Sequence, residues 1–339
     1  MICVAFLVSA VALGQFIDKS DQGKGSNIKV TVSATQVRNE QPLIWVGETA
    51  RDAFRRAQKN KFDFNGTLIV SRTFESGYKG SFKVEFNRKK QLKVTVLQPL
   101  SEQGRQTIDD FTTVQSYFPA SNQIVVQPSA YAALGSSDFR LNLAEKNYRI
   151  SGGEKVEFNR RTTIEVILEP KSRGLYKRRL LIDSTYPVMM LYEILEGNKT
   201  ISTVQDAILI ETDRGSSERF SFNTQGAEVV KTWGPKEMKD PKASSGLLGF
   251  LPRQKKSLPY GFAVVSEQIV GSAEAPAFAV RLSNGMATVT VYQWDTEDGG
   301  RRSFEGLRPS SIDRDGVGYA VVGDEPDAVC LRILKEFVK

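Results

Sequence analysis

The chain has no histidine. Imidazole acid–base chemistry, His-based triads and His-ligated metals are excluded at once. Cysteine is almost as scarce. Cys3 and Cys330 are the only two in 339 residues, too few for a Cys-rich zinc or iron–sulfur site. Phosphate-cradling glycine loops are missing as well: Gly300 precedes arginines without a Lys-Ser/Thr pair, and Gly66 opens a strand-like run rather than a helix. Asp109-Asp110 is the nearest approach to a carboxylate dyad, but adjacent side chains diverge, so the pair reads as a solvated turn. Asp295, Glu297 and Asp298 lack the alternating spacing of a calcium loop. The reading is a non-enzyme with no cofactor and no metal.

What is there is ordinary globular composition, 40% apolar and 25% charged, which excludes a mostly disordered or fibrous chain. A net charge of +7 suits an anionic surface without specifying one. Residues 1–14 form an uncharged apolar run, shorter than the roughly 20 residues a spanning helix needs, and ending in Ala12-Leu13-Gly14. It reads as a secretory signal, which makes the mature protein extracytoplasmic and soluble after cleavage. A buried N-terminal strand is the other reading of the same run.

Residues 48–59 carry Ala50, Ala53, Phe54 and Ala57 at helical spacing, with Thr49 and Asp52 placed to cap. The period then changes to two. Residues 67–74, 80–87 and 91–97 read as consecutive strands, with Phe82, Val84 and Phe86 on one face of the second and Leu92, Val94 and Val96 on one face of the third. Further strands are expected at 112–118, 123–127, 148–150, 162–168, 176–183, 188–195, 200–209 and 218–223, and a weaker helix within 129–144. Strands following one another without crossover helices exclude a doubly wound nucleotide fold.

Residues 233–257 read as a linker enclosing an apolar patch, Leu247, Leu248 and Phe250, which either packs locally or meets a partner. Beyond it, residues 258–339 contain strand-like runs at 262–270, 277–282, 287–294, 301–304 and 317–322, and a closing helix at 325–338 introduced by Pro326. Cys330 reads as a small packed side chain in that helix. Two basic clusters, Arg88-Lys89-Lys90 and Lys177-Arg178-Arg179, lack the exposed aromatics of a nucleic-acid sheet, so no nucleic-acid partner is expected.

The expected fold class is mainly β (α+β): a large curved antiparallel sheet or half-barrel covering helices over residues 28–232, then a smaller α+β unit with an antiparallel sheet and a C-terminal helix. Too few helices for so many strands leave two readings open. Either the sheet encloses an apolar cavity for a lipid or other amphiphile, or it closes over its own side chains. Phe82, Val84, Phe86, Leu92, Val94, Val96 and Met190 are the candidate cavity residues.

Several strings resemble one family. Phe64-Asn65-Gly66-Thr67 after the first helix, Tyr117-Phe118-Pro119 before Ile124-Val125-Val126, Leu258-Pro259-Tyr260-Gly261-Phe262, the run from Leu282-Ser283-Asn284-Gly285 to Tyr292, and Val321-Val322-Gly323-Asp324-Glu325-Pro326 are similar, in this order, to periplasmic regulators of the envelope-stress sigma factor called RseB or MucB. The resemblance implies a first domain with the lipoprotein-carrier fold of LolA and LolB. It also implies a non-enzymatic regulator that binds the periplasmic segment of a membrane-spanning anti-sigma factor and releases it when an amphiphile occupies the apolar cavity. Peripheral contact with the membrane fits that placement. Leu247, Leu248, Phe250, Tyr260 and Phe262 are the candidate partner-binding residues. The chain departs from the family at Met189 and Met190, where a basic residue is usual, and in the short turn at 183–187. A lipid or lipoprotein carrier and a structural envelope protein are the alternative functions.

Overall fold

The computed structural model describes residues 49–59, 65–73, 79–87, 91–129, 136–213, 220–222, 224–231, 236–237, 241–255, 257–271, 275–296 and 310–339. The signal-like run at 1–14, the strand-like run at 301–304 and the basic cluster at 88–90 lie outside the described residues.

Helix α1 (Ala50–Gln58) opens on the expected capping box, in which the Thr49 hydroxyl accepts from the Asp52 amide at 3.2 Å and the Asp52 carboxylate accepts from the Thr49 amide at 3.4 Å. Its Ala50, Ala53, Phe54 and Ala57 are buried as one stripe. A long meander follows: β1 (Asn65–Thr73), β2 (Lys79–Phe86), β3 (Leu92–Gln98), β4 (Gln106–Asp109), β5 (Thr113–Phe118) and β6 (Gln123–Pro128). After helix α2 (Ser137–Asn147), capped by Ser136, come β7 (Tyr148–Phe158), β8 (Arg161–Pro170), β9 (Lys177–Asp183), β10 (Met189–Glu196), β11 (Lys199–Asp213) and β12 (Glu228–Lys231).

These strands form one 12-stranded sheet in the order β12-β6-β5-β4-β3-β2-β1-β11-β10-β9-β8-β7. Neighbours are antiparallel except β12, which joins β6 in parallel. Register shifts in the β1–β11, β9–β10 and β10–β11 pairs bend it. The bend is strong. At the β7–β8 reversal, Asn159 Nδ2 donates to the Ala207 carbonyl of β11 at 3.0 Å, whereas three strand spacings separate β8 from β11, about 14 Å in a flat sheet. Both helices pack on the inner face at the β7–β10 half, in a core with Leu180, Ile182, Tyr192 and Ile194.

The second sheet has six strands in the order β13-β14-β15-β16-β18-β17: β13 (Lys236–Glu237), β14 (Ala263–Gly271), β15 (Pro276–Ser283), β16 (Thr288–Asp295), β17 (Ser310–Arg314) and β18 (Val317–Gly323). Helix α3 (Pro241–Leu248) precedes β14, and helix α4 (Asp327–Val338) closes the chain against the sheet. The buried stripe of α4 is Val329, Cys330, Ile333, Leu334, Phe337 and Val338. Burial pushes the Cys330 thiol up to about 12, so it stays a neutral packing group. The α+β class expected from the sequence is the class observed.

Candidate functional site

The nominated apolar row converges. Val84 faces Leu68 on β1 and Val94 on β3; Phe82 faces Val70 and Val96; Phe86 faces Gly66 and Leu92. Gly66 is required there because a Cβ would lie 2.4 Å from the Phe86 ring. Phe82, Val84, Phe86, Leu92, Val94, Val96 and Met190 join Leu68, Val70, Val188 and Ala207 in one cluster, and each of the seven is at most 6% exposed. Interior side chains of this kind contribute roughly 1.5–3 kcal/mol apiece. Phe111, Phe158, Tyr186 and Leu209 pack against the cluster from its margin. Leu68 and Val70 were visible in the β1 alternation; the marginal aromatics sit in chain reversals, where no periodicity flags them.

The opposite face of the sheet, over β4, β5 and β6, carries a cavity of about 320 Å³. Ile108, Gln115 and Ile124 line its floor, and Phe220 and Phe222 lie over it. Residues 220–222, expected as part of a strand, instead cover the outer face, with Phe222 6.0 Å from the Tyr117 ring.

The Asp109-Asp110 pair is split rather than solvated as a unit. Asp110 is exposed at the reversal and Asp109 is 2% exposed at the end of β4. Asp109 Oδ1 accepts from the Phe111 amide at 2.7 Å and Oδ2 from the Ser129 hydroxyl at 2.9 Å. Burial outweighs these bonds and pushes the carboxyl up to about 6.

The partner candidates divide. Leu248 and Phe262 belong to the core of the second sheet, and Phe250 and Tyr260 pack against it. Among these five, Leu247 alone is strongly exposed, at 43%, with Leu251 beside it at 62%. The apolar patch therefore packs mostly inward, because α3 turns Leu248 toward β15 while Leu247 remains outside. Leu247 and its neighbour Leu251 therefore present the most apolar surface of this stretch, with Phe250 half-buried between Leu248 and Leu251.

The two sheets meet at a polar joint that local pattern could not foresee. Arg178 sits in the basic cluster 177–179, but strand alternation turns it inward. Its Nη2 meets Glu325 Oε1 at 2.6 Å, both side chains being 0% exposed. The second Glu325 oxygen accepts from the Tyr176 amide at 2.9 Å. Burial pushes Glu325 and Asp324 above the usual carboxylate range, and the Arg178 guanidinium pulls both back toward ionisation. Arg179 points outward and pairs with Glu165 and Glu193. Nearby, Asn147 Nδ2 donates to the carbonyls of Gly261 (2.9 Å) and Asn284 (3.0 Å). Gly285, at φ +100°, packs so tightly on α2 that a Cβ would lie 2.1 Å from the Ala144 nitrogen. Met286 enters the helix-covered core of the first sheet, and Leu175 enters the core of the second. The strings around 258–262, 282–292 and 321–326 that carry the family resemblance are those that build this joint.

Among the described residues, no three or more carboxylate or thiol side chains cluster to hold a metal, and no helix is long and apolar enough to cross a membrane.

No family model matches the chain, and no curated protein matches its sequence. Its fold, however, is that of MucB. The crystal structure of MucB is similar at a TM-score of 0.57 and 12% identity, over 84% of this chain and 96% of that one. The Pseudomonas aeruginosa MucA/MucB complex gives 0.58 at 14% identity, over 84% and 96%. MucB in complex with MucA(peri) gives 0.54 at 12% identity, over 84% and 97%.

Proposed function

We propose that this chain is a non-enzymatic binding protein of the periplasm that holds an extracytoplasmic segment of a membrane protein, and that an amphiphile in the first sheet weakens the hold. The observation that carries the reading is a fold shared with MucB through both sheets, including structures in which MucB is solved with MucA. A membrane-spanning anti-sigma factor is the partner the sequence resemblance implies. The joint around Arg178 and Glu325 supports coupling, because a change in the first sheet reaches the second through packed and ion-paired groups. Ligand and partner affinities must then depend on each other reciprocally.

The apolar row from Phe82 to Val96 is the part of the first sheet an acyl chain would enter, by parting side chains that are now closed against one another. The test is calorimetric titration of the purified protein with the extracytoplasmic segment of a single-span anti-sigma factor from the same genome, with and without a lysophospholipid. Binding that weakens in the presence of the lipid is expected. No binding to any such segment refutes the regulator. Lipid uptake without a protein partner would indicate a carrier instead.

A further inference from the structure

Strand register builds the floor of the cavity on the outer face of the first sheet. Ile108 pairs with Lys93 on β3 and with Gln115 on β5, and Tyr117 pairs with Ile124 on β6. Paired residues share a face, so Ile108, Gln115 and Ile124 point away from the closed apolar row, whose Leu92 and Val94 pair instead with Asp109 and Thr107. The roof is a strap, residues 220–222, held at two sides. Lys93 Nζ donates to the Ser221 carbonyl at 3.3 Å, and the Phe222 ring lies 6.0 Å from that of Tyr117. Beyond the strap the chain is tied to the sheet edge, where Asn122 Nδ2 donates to the Gly226 carbonyl at 3.3 Å and β12 pairs with β6. At about 320 Å³, the space between strap and floor falls in the range of small-molecule pockets, roughly 300–1,000 Å³.

The lining selects a chemistry. Among the described residues, six of the ten around the cavity are polar and none carries a positive charge. Lys93, beside the strap, is engaged by the Ser221 carbonyl. An anionic head group therefore finds no counter-charge in the lining, and an acyl chain finds too many polar neighbours. Several of the polar groups are also spare. The side chains of Thr113, Gln115 and Thr224 make no hydrogen bond to another described residue, and Asp110 uses one oxygen, Oδ1, on the Thr112 and Thr113 amides. Thr113 and Gln115 stand two residues apart on one face of β5, about 7 Å, comparable to the span of hydroxyls across a pyranose ring. Hydroxyls both donate and accept, which matches a carboxamide, a carboxylate oxygen and two hydroxyls together. Phe220 and Phe222 add apolar rings for the C–H face of a sugar. A simple amine would engage Asp110 and leave the carboxamide and the hydroxyls unmatched.

We infer that this outer-face cavity is a binding site for a neutral saccharide, with Phe222 packing on the sugar ring and Gln115 and Asp110 hydrogen-bonding its hydroxyls. The site lies across the sheet from the row an acyl chain would enter, so it stands or falls apart from the function proposed above.

The experiment is calorimetric titration of the full chain, with saturation-transfer NMR as a second readout, against maltose, cellobiose and diacetylchitobiose, and against putrescine and galacturonate for comparison. Binding of at least one neutral disaccharide is expected, without a response to putrescine or galacturonate. Gln115→Leu, at an exposed strand position, and Phe222→Ala should each weaken that binding on the order of tenfold. Leu100→Ala, an exposed apolar residue outside the cavity, should leave it unchanged. Failure of all three disaccharides to bind at millimolar concentration overturns the site. A response to putrescine or galacturonate in their place overturns the ligand class, and affinity unchanged by Gln115→Leu overturns the location. Should Phe222→Ala displace the strap, Gln115→Leu decides alone, since the pairing of this residue with Ile108 and Val126 is made by its backbone.

Discussion

Replacing Glu325 with Gln keeps the shape of the side chain at the joint and removes its charge. The Arg178 guanidinium, 0% exposed, then has lost the carboxylate 2.6 Å away. Removing one partner of a buried pair costs about 3–5 kcal/mol. The lower end applies here, because the buried Asp324 carboxylate still acts on Arg178. With unfolding entropy near 2.1 cal/mol/K per residue, a loss of ~3 kcal/mol across 339 residues lowers Tm by about 4 °C. Arg178→Met should cost a similar amount, since it strands the carboxylate. The double variant should cost less than the two singles summed, leaving a coupling of at least ~2 kcal/mol. Urea unfolding of the wild type and the three variants, followed by intrinsic fluorescence and far-UV circular dichroism, measures the cycle. Additive single costs, or a Glu325→Gln protein within about 0.5 kcal/mol of wild type, would refute a charged, water-free contact between the sheets.

Asp109→Asn tests the buried carboxyl beside Phe111. A carboxyl whose native value is raised from 3.8 to about 6 favours the folded state while protonated, so its contribution is present below pH 4 and is lost as pH rises through about 6. At about 1.36 kcal/mol per unit, the loss is at most ~3 kcal/mol at neutral pH. Asn keeps an acceptor for the Phe111 amide, so Tm at pH 7.5 should rise relative to wild type and the difference should shrink at pH 4.5; equal differences at both pH values contradict the burial argument. Gly285→Ala places a methyl against α2 as well as straining φ +100°, whereas Gly316→Ala, at φ +77° with open space around it, meets the backbone penalty alone. Thermal melts should show at least ~2 kcal/mol lost in the first and about 1 in the second, and equal losses would mean that Gly285 does not pack on α2. Leu247→Ser with Leu251→Ser should leave stability within about 0.5 kcal/mol while weakening partner binding in the calorimetric titration; unchanged affinity removes these two residues from the partner surface.

Alternation along single strands carried much of the fold into view. Phe82, Val84 and Phe86 against Leu92, Val94 and Val96 is a local signal, and those residues do face one another across β2 and β3. The Thr49–Asp52 box announced α1 for the same reason: its chemistry spans a single turn. Signals that depend on distant partners were lost. Arg178 belongs to a run of three basic residues, and only the strand period and a carboxylate 147 positions away turn it into an interior group. β4 is too short and polar to stand out, which leaves Asp109 reading as a turn residue. β7 continues beyond Ile150 because Gly152 and Gly153, at φ +99° and +107°, accommodate a bulge instead of ending the strand. α3 was hidden by the Pro and Gly at its ends, which looked like linker sequence.

Met286 and Leu175 each lodge among side chains supplied mainly by the other half of the molecule. A chain cut near residue 232 would retain Leu175 with nowhere to bury it and would be missing the thioether that fills the space beside Ala144. The halves are thus interlocked like a pair of hooks, and melting one loosens the other. Denaturation should proceed as one event, and each isolated half should be a poorer folder than its own hydrophobic content suggests.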